Sequence, residues 1–224
     1  MQAIILAGGL GTRLRSVVSD VPKPMAMIND KPFLYYLLNT LNNQGFNKVI
    51  LAVGYKKEVI EDYFKNQFKN IKIVYSVEDQ PLGTGGAIKK ALDYVDESYA
   101  YIFNGDTFFD IDFSKFKTSK DIAIACKYLE NFDRYGKVEI TDGIITSFYE
   151  KQSNQSGYIN GGVYCIKKDI FKNYNFSEKF SFEKDFLEPY ITKLSIEAYC
   201  SNSYFIDIGI PEDYYKAQED FKNE

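Results

Sequence analysis

The chain has 224 residues, of which 45% are hydrophobic, enough to bury a continuous core in an α/β domain. Its net charge of −4 argues against a general nucleic-acid-binding surface, because such surfaces carry dense positive charge. The sequence contains no histidine, which excludes a Ser-His-Asp triad, a Cys-His dyad and any histidine-ligated zinc or haem site.

The first half of the chain alternates short apolar runs with amphipathic segments. We predict strands at 3–7, 48–53, 71–77 and 99–103, a helix between Pro32 and Gly45, a second helix at 57–68 and a third that begins near residue 85. Continuous apolar strands separated by helices are typical of a parallel sheet that is covered on both faces. The sequence therefore predicts a Rossmann-like, doubly wound, mainly parallel α/β sheet that binds ligands at the carboxyl ends of its strands.

The second half of the chain has a different pattern. Its apolar runs at 122–128, 137–140, 144–149 and 158–166 are linked by short turns, and Asp142-Gly143 is a hairpin signal between two of them. These runs predict an antiparallel excursion built onto the parallel sheet. The chain then returns through 204–206 to a final helix opened by Pro211. Since no internal repeat, low-complexity tract or long linker interrupts the pattern, we expect a single domain over residues 1–224.

The sequence carries no recognisable membrane or secretion signal. The run at 2–7 has no basic flank and is followed by glycines, so it is typical of a buried strand and not of a signal peptide. No stretch approaches the roughly 20 uncharged apolar residues of a membrane-spanning helix. We therefore expect a cytoplasmic protein with no membrane partner. Cys126, Cys165 and Cys200 each lie in an apolar run, and we interpret them as buried, unpaired thiols.

The first predicted strand continues into a glycine-rich segment, Gly8-Gly9-Leu10-Gly11-Thr12-Arg13-Leu14. Closely spaced glycines let backbone amides approach an anion, and Arg13 adds a planar cation suited to phosphate oxygens. No Gly-Lys-Ser/Thr follows, so this is not a Walker A loop, and Leu14 stands where a dinucleotide-binding fingerprint needs a third glycine. Taken alone, the segment is either an anion-binding loop or a glycine-rich structural turn.

Further motifs make the pattern specific. The glycine segment is followed by Lys23-Pro24-Met25, then by Glu78-Asp79-Gln80-Pro81-Leu82-Gly83-Thr84-Gly85-Gly86-Ala87, Asn104-Gly105-Asp106 and a closing stretch at 205–214. In this order the motifs resemble the signature of the sugar nucleotidyltransferase family over nearly the whole chain. The resemblance implies a glycosyltransferase-A-like fold and the transfer of a nucleotidyl group from a nucleoside triphosphate to a sugar 1-phosphate, with release of pyrophosphate. The absence of histidine agrees with this chemistry, in which positioning and charge neutralisation do most of the catalytic work.

The resemblance assigns the catalytic and metal-binding residues. Asp106 and Asp207 would hold Mg²⁺, which favours a few hard oxygen ligands together with water and substrate phosphates. Arg13 would neutralise the departing pyrophosphate, and Lys23 would hold a phosphate near the α-position. On the residues alone, Asp106 is also compatible with an ordinary turn and Asp207 with a cap of the final helix.

The resemblance also implies two sets of binding residues. The nucleotide would be bound by Leu6, Ala7, Gly8, Gly9, Gly11, Thr12, Arg13, Gln80 and Gly85. The sugar 1-phosphate would be bound by Tyr135, Gly136, Glu150, Lys151, Asn160 and Gly161. Gln80 would read the edge of the base, Lys151 would contact the sugar phosphate and Glu150 a sugar hydroxyl. A surface ion pair is the alternative interpretation of Glu150 and Lys151.

Within the family, the compact chain, the loop at 80–87 and the Asn160-Gly161-Gly162 turn most resemble guanylyltransferases that act on a heptose 1-phosphate. The substrates would then be GTP and D-glycero-α-D-manno-heptose 1-phosphate, and the product would be GDP-heptose for a surface polysaccharide. Enzymes that join glucose, mannose or N-acetylmuramate 1-phosphate to UTP, CTP or dTTP share much of the pattern, and a catalytically silent nucleotide-sugar sensor is a further alternative. We expect no nucleic-acid partner and no additional β-helix domain, and the sequence leaves assembly into homo-oligomers open.

Overall fold

The computed structural model describes residues 1–9, 14, 17–18, 21–149 and 155–222. Five predicted site residues lie outside this described part, namely Gly11, Thr12, Arg13, Glu150 and Lys151. The strands are β1 (Gln2–Leu6), β2 (Met27–Ile28), β3 (Lys31–Pro32), β4 (Lys48–Val53), β5 (Gln67–Phe68), β6 (Ile71–Val77), β7 (Tyr99–Asn104), β8 (Thr107–Phe109), β9 (Ile122–Phe132), β10 (Val138–Thr141), β11 (Ile144–Phe148), β12 (Gln155–Lys167), β13 (Ile196–Ser201) and β14 (Phe205–Asp207). The helices are α1 (Phe33–Asn43), α2 (Lys57–Phe64), α3 (Gly83–Leu92) and α4 (Pro211–Asp220), with a 3₁₀-helix at Lys23–Met25 and a π-helix at Phe182–Leu187.

Ten strands form the central sheet, in the order β10-β11-β13-β9-β12-β7-β1-β4-β6-β5. β1 pairs in parallel with both β4 and β7, and β4 pairs in parallel with β6. β12 joins this parallel part to the second half of the chain through antiparallel pairing with β7 and β9. The predicted Rossmann-like α/β sheet with an antiparallel excursion is therefore confirmed.

Alternate side chains of the parallel strands enter two separate hydrophobic clusters, one on each face of the sheet. In β1, Ile5 packs into the cluster that contains the apolar side chains of α1, whereas Ile4 packs into the opposite cluster with Ile88 of α3. β4 repeats this arrangement, with Leu51 on the first face and Ile50 on the second. Because both faces are covered, these strands need continuous apolar sequence, and they are the elements that the sequence predicts most directly.

The structure shortens the second predicted helix. α2 ends at Phe64, because Lys65 adopts a left-handed conformation (φ 52°) that an α-helix does not accommodate. Residues 67–68 form β5 instead, which pairs antiparallel with β6 across a turn where Lys69 also has a positive φ of 50°. The prediction of a helix over 57–68 is therefore wrong beyond residue 64.

The second half contains the predicted hairpin and two elements that the apolar pattern does not reveal. Asp142 and Gly143 both have positive φ (50° and 76°) and connect β10 to β11, as the Asp-Gly signal predicts. β13 lies between β9 and β11, in parallel with β9, and the π-helix packs on α3.

The structure corrects one of the predicted thiols. The interpretation of three buried thiols is wrong for Cys200, which is exposed because β13 is only partly covered. Cys126 and Cys165 are buried and unpaired.

The last strand lies outside the ten-stranded sheet. β14 pairs antiparallel with β8 in a two-stranded ribbon, where Asp207 stands opposite Thr107. α4 follows directly, with Pro211 in its first turn as predicted. None of the helices that the structure describes is long and apolar enough to cross a membrane.

Candidate functional site

Two cavities lie beside the carboxyl ends of β1 and β7. The larger cavity has a volume of about 500 Å³, and its lining includes Leu6, Gly8, Gly9, Lys23, Glu78, Thr84 and Asp106. The smaller cavity has a volume of about 260 Å³, and its lining includes Arg134, Tyr135, Gly136, Asn160, Gly162 and Tyr164. Asn104, Glu183 and Asp207 line both, so the two cavities meet at these side chains.

Asp106 lies in the turn that follows β7. Its Oδ2 atom accepts a hydrogen bond from Lys23 Nζ at 2.9 Å, so two predicted site residues form an ion pair. Gly105 allows this turn to approach β1, because a Cβ at that position would lie 2.4 Å from the Leu6 carbonyl oxygen and 2.9 Å from a side-chain carbon of Pro24. The Gly105 amide also donates to the Leu6 carbonyl at 3.0 Å. The turn is thereby held against the end of β1 and the 3₁₀-helix.

Asp207 ends β14 and is partly buried. Its Oδ1 atom accepts a hydrogen bond from the Gly209 amide at 2.7 Å, and the neighbouring Ile208 amide donates to the carbonyl oxygen of Asp106 at 2.9 Å. Burial and the negative charge of Asp106 raise the pKa of the Asp207 carboxyl to about 6, against the lowering effects of the Gly209 amide and Lys23. The positive charge of a cation bound to both carboxylates would favour the ionised form of Asp207 and lower its pKa again.

The donor set fits a hard divalent cation. Asp106 and Asp207 reach the site from distant segments, and no third Asp, Glu or Cys of the described residues completes a metal-binding group with them. Mg²⁺ is commonly held by one or two carboxylates, with water and substrate phosphates as its other ligands. Two carboxylates at the edge of a large cavity match that pattern, because the cavity leaves room for those other ligands.

Several of the predicted nucleotide-binding residues lie on the larger cavity. Leu6, Gly8 and Gly9 line it, whereas Ala7 is buried and does not. Gly8 lies close to Glu78, because a Cβ at residue 8 would come within 2.7 Å of Glu78 Oε1. Gly8 is therefore packed against the end of β6 as well as facing the cavity.

Gln80 and Gly85 lie away from the wall of the larger cavity. Gln80 is exposed, and its Nε2 atom donates to Glu178 Oε2 at 3.4 Å. Gly85 packs against Phe180, where a Cβ would come within 2.2 Å of a ring carbon. Its amide donates to the Phe180 carbonyl at 3.0 Å. The close packing of Phe180 thus explains the glycine at residue 85, whereas the sequence pattern suggests a role in the base pocket.

Glu78 is a cavity residue to which the sequence motifs assign no role. It follows β6 directly, and its Oε2 atom accepts a hydrogen bond from the Leu82 amide at 3.0 Å. Burial raises the pKa of the Glu78 carboxyl, while the Leu82 amide and the charge of Lys90 oppose that rise. A signal was available, since an acidic residue directly after a parallel strand stands where such sheets bind ligands.

The smaller cavity contains most of the described residues that are predicted to bind the sugar, namely Tyr135, Gly136 and Asn160. Gly161 is not on its lining; a Cβ there would lie 2.7 Å from the Phe109 ring, so this glycine is required by packing. Gly162, with a positive φ of 69°, lines the cavity instead and donates its amide to Asn160 Oδ1 at 3.0 Å. Burial and the charge of Asp207 raise the pKa of the Tyr135 phenol, which therefore stays protonated.

Arg134 is a further cavity residue that sequence patterns do not single out, because a charged residue in a loop is usually solvated. Its Nη2 atom lies 2.5 Å from Asp213 Oδ2, and its guanidinium carbon lies 5.3 Å from the centre of the Tyr135 ring. The smaller cavity therefore contains a fixed cation as well as the polar groups that the motifs predict.

Comparisons with known proteins show the family to which the chain belongs. The chain matches the family model described as Nucleotidyl transferase over residues 2–224. It is 55% identical over 217 residues to the D-glycero-α-D-manno-heptose 1-phosphate guanylyltransferase of Campylobacter jejuni, covering 96% of this chain and 97% of that protein. The protein of the same name from Aneurinibacillus thermoaerophilus is 50% identical over 228 residues, covering 100% and 99%.

A solved structure extends the similarity to three dimensions. The crystal structure of HddC from Yersinia pseudotuberculosis complexed with GMP-PN matches with a TM-score of 0.88 and 44% sequence identity, covering 99% of each chain. The family model, the two relatives and this structure agree over almost the full length of the chain. The chain therefore belongs to the nucleotidyl transferase family.

Proposed function

We propose that the protein is a D-glycero-α-D-manno-heptose 1-phosphate guanylyltransferase, which converts GTP and the heptose 1-phosphate to GDP-heptose and pyrophosphate. The observation that carries this proposal is the identity of 55% and 50% to two proteins of that name over almost their full length. The GMP-PN bound to HddC supports a guanine nucleotide as the donor. The two adjoining cavities agree with a reaction that brings two substrates together, since holding both in place removes much of the barrier.

Glu78 offers a physical reason for guanine. Guanine carries a ring N–H and an amino group side by side, and a carboxylate can accept hydrogen bonds from both. Glu78 lines the larger cavity, and its Oε1 atom is the oxygen close to Gly8, whereas Oε2 accepts from the Leu82 amide. We therefore assign recognition of the base edge to Glu78 in place of Gln80, which is exposed.

The reaction that we assign to the site is a single in-line displacement. A phosphate oxygen of the sugar 1-phosphate attacks the α-phosphorus of GTP, and the bond from that phosphorus to the pyrophosphate oxygen breaks. Lys23 would hold the phosphates near the reacting atoms, Arg13 would neutralise the departing pyrophosphate and Lys151 would bind the sugar phosphate. No covalent intermediate on the protein is required, because the attacking group comes from the second substrate.

We assign Asp106 and Asp207 as the ligands of Mg²⁺. Two carboxylates, one of them with a raised pKa beside the other, form a donor set that favours a divalent cation. When bound, the cation supplies positive charge that stabilises the phosphate oxygens in the transition state. Lys23 contributes a further positive charge at the same place through its contact with Asp106.

Product formation from a panel of substrates tests the proposed function. The protein is incubated with Mg²⁺, one of GTP, UTP, CTP or dTTP, and one of several sugar 1-phosphates, and pyrophosphate release and product mass are measured. GTP with D-glycero-α-D-manno-heptose 1-phosphate should give the highest kcat/KM. A clear preference for another pair would reassign the substrates, and binding without turnover for every pair would favour the nucleotide-sugar sensor.

A further inference from the structure

Glu183 lies at the junction of the two cavities, and it is not among the residues proposed to bind the nucleotide, the sugar 1-phosphate or Mg²⁺. It is in the first turn of the π-helix, and it lines the larger and the smaller cavity. A carboxylate at this place faces both substrates of the proposed reaction. The orientation of its two oxygen atoms therefore decides which substrate it can contact.

Two hydroxyl groups donate to the Oε2 atom of Glu183. Thr84 Oγ1 lies 2.8 Å from it and Ser181 Oγ lies 3.2 Å from it. Thr84 Oγ1 also accepts a hydrogen bond from the Phe182 amide at 2.8 Å, and Ser181 Oγ accepts one from the Lys184 amide at 3.2 Å. Because each hydroxyl oxygen accepts from an amide, its own proton is available to Glu183. Oε2 therefore accepts two hydrogen bonds.

One hydroxyl group donates to the Oε1 atom of Glu183. Tyr164 Oη lies 3.1 Å from it and accepts a hydrogen bond from Asn160 Nδ2 at 2.9 Å. Asn160 is oriented in turn, since its Oδ1 atom accepts from the Gly162 amide at 3.0 Å. Tyr164 and Asn160 both line the smaller cavity. Oε1 is thus the oxygen on the sugar side of the junction.

Among the described residues, these contacts leave one acceptor position of the Glu183 carboxylate unused. A carboxylate has about four acceptor positions, roughly two on each oxygen. The described residues use two positions on Oε2 and one on Oε1. The fourth position is therefore on Oε1, next to the Tyr164 hydroxyl and the smaller cavity.

The negative charge of Glu183 determines which group of the substrate it can contact. A carboxylate repels phosphate groups, which are drawn to Lys23 and to the cation site at Asp106 and Asp207. A neutral hydroxyl group is the part of a sugar phosphate that can donate to Oε1. We propose that Glu183 is a specificity-determining residue that accepts a hydrogen bond from a hydroxyl group of the sugar 1-phosphate. Tyr164 and Thr84 are the residues that position its carboxylate. This inference rests on the proposed function, because it assumes a sugar 1-phosphate in the smaller cavity.

Substrate analogues combined with Glu183→Gln test this inference. In the analogues, each hydroxyl group of D-glycero-α-D-manno-heptose 1-phosphate is replaced in turn by hydrogen. The dissociation constant of each analogue is measured by calorimetry, and KM is measured wherever turnover occurs. Glu183→Gln should weaken binding of the complete sugar 1-phosphate roughly ten- to a hundredfold, the loss expected for a hydrogen bond to a charged group. Binding of GTP should change less than about twofold, because the assigned contact is with the sugar.

The decisive result is the behaviour of one analogue. The analogue that lacks the contacted hydroxyl should bind the unsubstituted protein as weakly as the complete sugar binds Glu183→Gln, and the variant should no longer distinguish the two ligands. Asp185→Asn is the matched control, since Asp185 lies in the same π-helix and accepts from the Ser181 amide but lines neither cavity. Its discrimination among the analogues should be unchanged.

Two outcomes would overturn the inference. One is an equal loss of GTP and sugar affinity in Glu183→Gln, and the other is an analogue pattern that is the same in the variant and the unsubstituted protein. If Glu183→Gln does not fold, Tyr164→Phe is used instead, because it removes the hydroxyl group that donates to Oε1. Removing the contacted hydroxyl group from the sugar should then cost less affinity in Tyr164→Phe than in the unsubstituted protein. An equal loss of affinity in the two proteins would count against the inference. If the unsubstituted protein prefers another sugar 1-phosphate, the proposed function fails separately, and the analogue series is made from that sugar.

Discussion

Arg134 Nη2 lies 2.5 Å from Asp213 Oδ2, so the loop before β10 is tied to the first turn of α4. The side chains are 35% and 22% exposed, and the guanidinium lies over Tyr135 beside the smaller cavity. This ion pair therefore fixes a cation where the sugar 1-phosphate is proposed to bind, next to the segment that follows Asp207.

Replacing Arg134 by Gln should raise the KM for the sugar 1-phosphate about tenfold and change the KM for GTP much less, because the smaller cavity, where the sugar 1-phosphate is proposed to bind, loses its fixed positive charge. Initial rates with each substrate varied in turn measure both constants. Glu219→Gln is the control, since it removes an exposed ion pair with Lys222 at the far end of α4 and should leave both constants unchanged. An equal rise of both constants in Arg134→Gln would point to a general loss of structure.

Replacing Asp106 or Asp207 by Asn should lower kcat by roughly a thousandfold or more, because each change removes a proposed charged ligand of Mg²⁺, the cation that would stabilise the transition state. GTP affinity should fall less, since the rest of the larger cavity is retained. The measurements are kcat at saturating Mg²⁺ and calorimetric binding of GTP, with circular dichroism as the test of folding. A near-normal kcat for Asp207→Asn would remove this residue from the metal-binding set.

The raised pKa of Asp207 predicts a pH dependence of stability in the absence of divalent cations. The folded-state pKa of about 6 exceeds the ordinary value near 4, so the folded protein binds this proton more tightly than the unfolded chain. The protonated Asp207 carboxyl therefore contributes fully to the stability of the fold below about pH 4, and this contribution is lost as the pH rises through about 6. The size of the loss approaches about 3 kcal/mol.

Asp207→Asn isolates this effect, because Asn is neutral at every pH. Urea unfolding in EDTA, repeated between about pH 4 and pH 7, should show the variant becoming progressively more stable than the unsubstituted protein as the pH rises. Added Mg²⁺ should reduce that difference by binding the folded, ionised form. A difference between the two proteins that does not vary with pH would show that the Asp207 carboxyl is not perturbed.

Replacing Glu78 by Gln should reduce the preference for GTP over other nucleoside triphosphates by roughly ten- to a hundredfold in kcat/KM, because an amide cannot accept from both guanine donors. Competition between GTP and UTP in one reaction, followed by product mass, gives the ratio directly. Gln80→Glu is measured for comparison. If Gln80 reads the base, as the motif suggests, Gln80→Glu will change the preference for GTP over UTP more than Glu78→Gln does.

Replacing Gly105 by Ala should destabilise the protein by about 1–3 kcal/mol, because the added Cβ would be driven against the backbone of Leu6 and against Pro24. Gly9→Ala is the matched control for stability, since a Cβ there meets no atom within 4 Å. Thermal unfolding of the two variants gives the comparison. Equal melting temperatures would show that the turn after β7 can move away from β1 at little cost.

The parallel strands of the sheet can be predicted from the sequence, because they are buried on both faces. Ile4 and Ile50 are covered by helices on the second face of the sheet, and runs of this kind define the parallel strands. β5 was not predictable, because it depends on positive φ angles at Lys65 and Lys69, a conformation that lysine does not signal. β13 does not stand out in the sequence, because its side chains are mostly only partly covered, which leaves no clear alternation of apolar and polar residues.

The same distinction applies to the site. Lys23 and Asp106 stand in ordered motifs, and the structure brings them together as an ion pair. Glu183 belongs to no motif, because its place depends on a contact with Thr84, which lies 99 residues away. Arg134 likewise depends on Asp213, 79 residues away. Contacts between segments so far apart leave no local pattern that a single sequence can reveal.

The ribbon of β8 and β14 has a consequence for how the protein matures during synthesis. Nine of the ten strands of the central sheet end at or before Lys167, so these strands can leave the ribosomal exit tunnel well before Asp207 does. Domains generally begin to fold from the N-terminal side during translation. We therefore expect a nascent chain to place Asp106 beside its counter-charge Lys23 first, and to complete the proposed Mg²⁺ site only when the last strand brings in Asp207.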